Sequence, residues 1–280
     1  MGLDWTTLQF LAAPFAASLI LTGIHAYLCV HVVERGVIFV DLSLAQIAAL
    51  GSTMAILLPF TDGDAHGPWV YWTSLAFTFI GAAIFSTIRS QKARIPQEAI
   101  IGISYAVASG ATILAMSHAT SESEHLRDML VGNILAVSWP EVGKTAALYA
   151  VVGLFHYVFR RQFLTISMNH GQDQVNGLNV KLWDFLFYAS FGFVVTSSVS
   201  IAGVLLVFCY LIVPSVAAML YADRIGPRLA IGWSMGTLVS ALGIYLSVKL
   251  DLPTGAAMVC TFGLVLILMA VVKPLFRRPA

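Results

Sequence analysis

Ala202-Gly-Val-Leu-Leu-Val-Phe-Cys-Tyr-Leu-Ile-Val-Pro214-Ser-Val-Ala-Ala-Met-Leu-Tyr221 is a run of 20 residues without a charged side chain. A helix rises about 1.5 Å per residue, so the run is long enough to cross a hydrocarbon layer about 30 Å thick. Eight more stretches share its character: residues 8–32, 37–59, 69–88, 98–117, 142–159, 183–199, 229–248 and 254–273. Little sequence remains outside them. Of the 280 residues, 59% are hydrophobic and 10% charged, against roughly 25% charged in a soluble domain. A chain this poor in charge could not cover a water-facing surface. This excludes a water-soluble enzyme, a nucleic-acid binder and a disordered chain, and the net charge of +1 gives no field to steer DNA or RNA. Backbone groups at membrane depth must pair internally, so the expected fold is all-α: a polytopic helical bundle of about eight or nine spans, in one domain over 1–280.

Basic residues orient the bundle. With the N-terminus outside, the inner loops hold Arg35, Arg89, Lys92, Arg94, Arg160, Arg161, Lys181, Arg224, Arg228, Lys273, Arg277 and Arg278, and the outer side holds Arg127, Lys144 and Lys249. That asymmetry fits the positive-inside rule and puts the C-terminus in the cytoplasm. The first span has no basic segment before it and reads as retained. Thr196-Ser197-Ser198 and Ser200 predict an outer turn inside 183–221, between two spans or within a re-entrant pair.

Asp41 is the most informative residue, early in the second span within Arg35-Gly-Val-Ile-Phe-Val-Asp41-Leu-Ser-Leu-Ala-Gln46. A carboxylate is expensive in lipid, so it faces a pathway or a partner. One reading makes it a ligand for a divalent cation, with Ser43 and Gln46 as oxygen donors. The other makes it a salt-bridge acid near the inner surface, paired with Arg35. His25 and His31 are further candidates, but six residues apart they do not share a helix face. Outside, Asp62, Asp64 and His66, then His118, Glu122, Glu124, His125 and Asp128, could raise the local cation concentration and hand over metal, or simply solvate loops. The apolar run Met129-Leu-Val-Gly132-Asn-Ile-Leu is too short to span and predicts a half-helix at the outer mouth.

Gly143-Lys144-Thr145 lacks the glycine of a phosphate loop, since position 138 is Ser138, so no ATP site is expected. Cys29, Cys209 and Cys260 lie in apolar runs and read as small buried hydrophobes. The stripe Gly232, Gly236, Ser240 and Gly243 lets helices approach closely. Gln162–Leu182 is the longest inner polar stretch, enough for one short helix and a turn.

These segments together resemble the permease subunit of ABC-type zinc/manganese/iron importers. The resemblance rests on Arg35 through Asp41, Gln46-Ile-Ala-Ala-Leu-Gly51 and Glu98-Ala-Ile-Ile-Gly102-Ile-Ser-Tyr105. It extends through His125 to Leu135, Ala202 to Pro214, and Leu246-Ser247 with Leu250-Asp251-Leu-Pro253-Thr-Gly255. It implies a type II importer-like fold and an inner or plasma membrane location. It also implies a homodimer of permease chains with two cytoplasmic ATPases and an external metal-binding receptor. The divalent metal is then substrate, and no cofactor is permanently bound. The 162–182 stretch would contain the ATPase-coupling segment, carried by Gln172, Asp173, Val175 and Gly177. Glu122, Glu124, His125 and Asp128 would meet the receptor. Two departures stand out. Residues Asn169-His-Gly-Gln replace the Asp-Pro-Glu of many relatives, and Ala45, followed by Gln46, stands where relatives place a histidine four residues after the aspartate. The competing reading is a secondary, proton-coupled metal carrier, which would need a relay of intramembrane acids where only Asp41 stands out.

Overall fold

The computed structural model describes residues 5–57, 67–88, 95–117, 132, 134–169 and 177–276. Its elements are helical: α1 Trp5–Glu34, α2 Val40–Ile56, α3 Pro68–Thr87, α4 Gln97–Met116, a short 3₁₀ turn Ile134–Ala136, α5 Trp139–Val158, α6 Arg160–Met168, α7 Val180–Tyr221, α8 Ile225–Leu250 and α9 Thr254–Phe276. Among the described residues, six helices are long and apolar enough to cross a membrane. A seventh is the pair α5–α6, bent by 73°. At 17 residues α2 is apolar but shorter, about 25 Å by the helical rise. Large apolar side chains point outward, among them Ile103, Leu114, Leu154 and Leu268 at 60–71% exposure. Such faces would aggregate in water, whereas lipid tails are as apolar as leucine.

The chain divides into two compact units. The first comprises Met1–Val30, Val131–Ala150 and Ile201–Ala280. Within it α8 packs on α9. The small-residue stripe of α8 is used inside the chain: Gly236 faces Thr22, Gly243 faces Met258, and Gly232 lies near the Pro214 carbonyl and Ala26. Hydrogen bonds reinforce these approaches, with the Trp233 indole donating to the Gly23 carbonyl at 3.1 Å and the Tyr210 hydroxyl to Ser240 Oγ at 3.0 Å. The α8–α9 turn closes through Asp251 at φ 52° and the Ser247 hydroxyl, which donates to the Leu252 carbonyl at 2.8 Å.

The second unit comprises His31–Leu130 and Val151–Ser200. Here α2 packs on both α3 and α4. A Cβ on Gly51 would lie 2.8 Å from the Ser74 Cα, so only glycine permits this approach of α2 to α3. Ser74 Oγ then reaches the Ala48 carbonyl at 2.7 Å. Thr78 and Thr196 join α3 to α7 at 3.1 Å.

The turn expected at Thr196–Ser200 is absent; that stretch is helical within α7. The hydroxyls satisfy themselves on the preceding turn, Ser198 on the Val194 carbonyl at 2.7 Å and Ser200 on the Ser197 carbonyl at 2.8 Å, so a polar run need not leave the helix. The break falls instead at Gly203, with φ 73° and ψ 163°. A Cβ on Gly132 would collide with the backbone of Ala202 and Gly203, so the 132 backbone lies directly on the break. Cys29 and Cys209 are buried as expected, but Cys260 lies on the exposed face of α9.

The backbone angles of Gly203 belong to a region that only glycine visits freely, and forcing another residue there costs about 1–3 kcal/mol. Gly203→Ala should therefore lower the melting temperature of the purified protein in detergent. An unchanged melting curve would mean that α7 can run straight through this point.

Candidate functional site

Asp41 is the second residue of α2 and is fully buried. Among the described residues, neither of its carboxylate oxygens has a hydrogen-bond partner, and nor does the hydroxyl of buried Ser43. An unpaired carboxylate away from water carries its whole desolvation cost. Gln46 is buried further along α2.

The alternative reading, a salt bridge from Asp41 to Arg35, is not what forms. Arg35, in the turn after α1, is 1% exposed, and its Nη1 donates to Asp184 Oδ1 at 2.5 Å. Its Nε donates to Ser167 Oγ at 3.0 Å. Ser167 Oγ also shares a hydrogen bond with His31 Nδ1, 2.9 Å away. The guanidinium carbon lies 4.0 Å from the centre of the Phe187 ring, a cation–π contact in a dry setting. Around this core, His156 stacks on Phe163 at 4.3 Å. Ser190 gives its proton to the Phe187 carbonyl, so His156 Nε2 donates to Ser190 Oγ at 2.8 Å. The His31 and His156 rings stand 6.1 Å apart, edge to face.

This cluster was largely invisible in sequence. Asp184 opens the 183–199 span and could have been flagged by the rule that singled out Asp41, since it too is an acid in an apolar run. His156 was not among the histidines singled out in the sequence. Ser167 carried no signal, because its importance comes from residues 132 and 136 positions away in the chain.

The candidates are otherwise scattered. His25 lies in the first unit, where its Nδ1 donates to the Leu21 carbonyl at 2.8 Å and its ring meets Tyr149 edge-on. His31 lies in the second unit, in the Arg35 cluster. Of the coupling candidates, Gly177 is described, at φ 73°. Gln172, Asp173 and Val175 lie outside the described residues, as do Glu122, Glu124, His125, Asp128, Asp62, Asp64, His66 and His118. Among the described residues no three histidines, cysteines or acids converge as a metal-binding group.

With the helical fold and these buried groups in view, comparison with known proteins gives the class. The chain matches the ABC 3 transport family over residues 7–273 and belongs to that family. It is thus a multi-pass membrane permease, a transport subunit and not an enzyme, in systems whose ATPase is a separate subunit. It is 29% identical over 188 residues to the manganese transport system membrane protein MntC of Listeria monocytogenes, covering 65% of this chain and 67% of that one. It is 25% identical over 255 residues to a probable iron transport system membrane protein of Haemophilus influenzae, covering 90% of this chain and 89% of that one. Its fold superposes on PsaBC from Streptococcus pneumoniae, solved in complex with Fab, with a TM-score of 0.77, 21% identity and coverage of 94% of this chain and 93% of that one.

The two buried acids should respond oppositely to neutralisation. Asp184→Leu leaves the Arg35 cation without its carboxylate, a defect worth about 3–5 kcal/mol. Asp41→Asn relieves an unpaired carboxylate. Thermal unfolding in detergent should show a clear loss for the first and no loss for the second. A drop of equal size in both would mean that Asp41 has a partner after all.

Proposed function

We propose that this chain is the membrane-spanning permease of an ATP-driven importer for a divalent transition metal, with manganese or iron favoured over zinc. The observation that carries the reading is the Asp41 carboxylate, fully buried with neither oxygen hydrogen-bonded among the described residues. Such a group is costly unless a passing cation answers it. The nearby orphan hydroxyl of Ser43 is a second oxygen donor on α2. With Ala45 in place of an imidazole, the donor set is oxygen-rich, which suits manganese better than zinc. The names of the manganese and iron relatives point the same way.

In this reading 1–280 acts as one permease domain in a dimer with a second copy, with two ATPases below and an external receptor above. The N-terminus is outside and the C-terminus cytoplasmic. The crossings number nine if α2 spans and α7 counts as two halves divided at Gly203. The inner stretch 162–182 docks the ATPase. Its α6 helix is amphipathic and seated by Phe163 and Ile166, and Ile166 packs with Val180, Leu178 and Trp183. Among the described residues, a Cβ at Gly177 meets nothing within 4 Å, which is compatible with a partner there. A proton-coupled carrier is less well supported, because the second intramembrane acid, Asp184, is engaged by Arg35.

Cells expressing Asp41→Asn should lose uptake of radiolabelled manganese while the permease still purifies with its ATPase. Normal uptake by this variant would refute the pathway assignment, and uptake that only zinc competes for would reassign the metal.

Neutralising Glu122, Glu124 and Asp128 together should slow receptor association and flatten its dependence on salt, since exposed charges act mainly on encounter. Final affinity should change little, because exposed pairs contribute roughly 0–1 kcal/mol. Surface plasmon resonance across a salt series would decide it, and an unchanged rate and slope would reduce these acids to loop solvation.

A further inference from the structure

Arg35 sits in the connection between α1 and α2, and its fork reaches two other elements at once. Nε holds Ser167 in the last turn of α6, and Nη1 holds Asp184 in the first turns of α7. The guanidinium therefore staples together the two helix ends that flank the inner stretch. Beside it, Ile166 of α6 packs against Val180 of α7. A displacement of α6 cannot leave Arg35 behind without stripping a buried cation of its acceptors.

On the other side of Arg35 the chain has no slack. Arg35 N–H bonds to the His31 carbonyl at 3.1 Å, Gly36 to Val33 at 3.0 Å, Val37 to Val32 at 3.2 Å and Val40 to Val37 at 3.1 Å. Val37 and Val40 are buried. The Phe39 N–H is held by Glu98 Oε1 of α4 at 3.2 Å. This tight connector ends at Val40, and the next residue is Asp41. One mechanical route from α6 to the Asp41 carboxylate thus runs through the Arg35 side chain and five backbone residues.

We propose that Arg35 is a positioning residue for transport: through its bonds to Ser167 and Asp184 it carries movement of α6 to the start of α2, and so sets the position of Asp41. The inference rests on the reading above, in which the 162–182 stretch meets the ATPase and Asp41 lies on the metal path. The pairing itself argues for more than stability. A buried ion pair is often no better than apolar residues of similar volume, so an Arg–Asp pair adds little hold that leucine or methionine could not supply. What it adds is direction: a planar fork bonded to two elements moves with both.

The test uses the whole complex of permease, ATPase and receptor in proteoliposomes, with manganese(II) uptake and phosphate release measured together. The double variant Arg35→Met with Asp184→Leu removes both charges and keeps apolar volume. Expected is continued ATP hydrolysis with manganese moved per ATP lowered about tenfold, within the usual range of coupling between sites. A purely structural role would lower both activities with the amount of folded complex and leave the ratio unchanged, and an unchanged ratio overturns the proposal. If the double variant does not assemble, Ser167→Ala, which removes the α6 arm of the staple together with the His31 contact and leaves the Asp184 arm, replaces it. A smaller fall in the same ratio supports the proposal and an unchanged ratio overturns it. The underlying reading is checked separately by cross-linking Gly177→Cys, in an otherwise wild-type complex, to the ATPase. Absence of that cross-link refutes the docking assignment, whatever the ratio does.

Discussion

A guanidinium buried inside an apolar bundle must be answered by acceptors from the protein, because burial takes it out of bulk water. Arg35 finds them in Asp184 and Ser167, with the Phe187 ring beneath. This one requirement organises the second unit. It fixes the end of α1 beside the start of α7 and draws in α6 after its sharp bend from α5. His31 and His156 then fill the space around the shared serine and its aromatic neighbours. The cluster is specified by hydrogen-bond geometry where the surrounding leucines and phenylalanines would accept many arrangements.

The transmembrane character of the chain was legible because it depends on composition over twenty-residue windows, and such windows average over local detail. Breaks were not legible, because they depend on single backbone positions. The serine-rich stretch before residue 201 looked like a turn, yet each hydroxyl there can be satisfied by a carbonyl one turn back, so polarity alone does not end a helix. Gly203 looked like one more small residue in an apolar run. It is a hinge in the path of α7 because the chain from Gly132 lies across it, and that contact spans about seventy residues of sequence.

The site shows the same division. Asp41 could be singled out because a carboxylate in an apolar run is anomalous wherever it points. Its partner could not be read, and proximity in sequence suggested Arg35, six residues away. The structure pairs Arg35 with Asp184 instead, 149 residues on. Local spacing identifies which groups are expensive to bury, and tertiary packing decides which of them are compensated. His156 and Ser167 show the converse, since neither is anomalous alone and both matter only through residues brought to them by folding.

Two buried acids in one unit thus end in opposite states. Asp184 is held by Arg35, and Asp41 has both oxygens unsatisfied among the described residues. Folding alone favours removing an uncompensated carboxylate, since asparagine or an apolar residue would fit α2 at lower cost. A group that lowers stability and remains in place is more readily explained by what it binds than by what it holds together. Asp184, bonded through Oδ1 to Arg35, belongs to the framework. In the proposed reading, this contrast sets the residue that would meet the cargo apart from the pair that would position it.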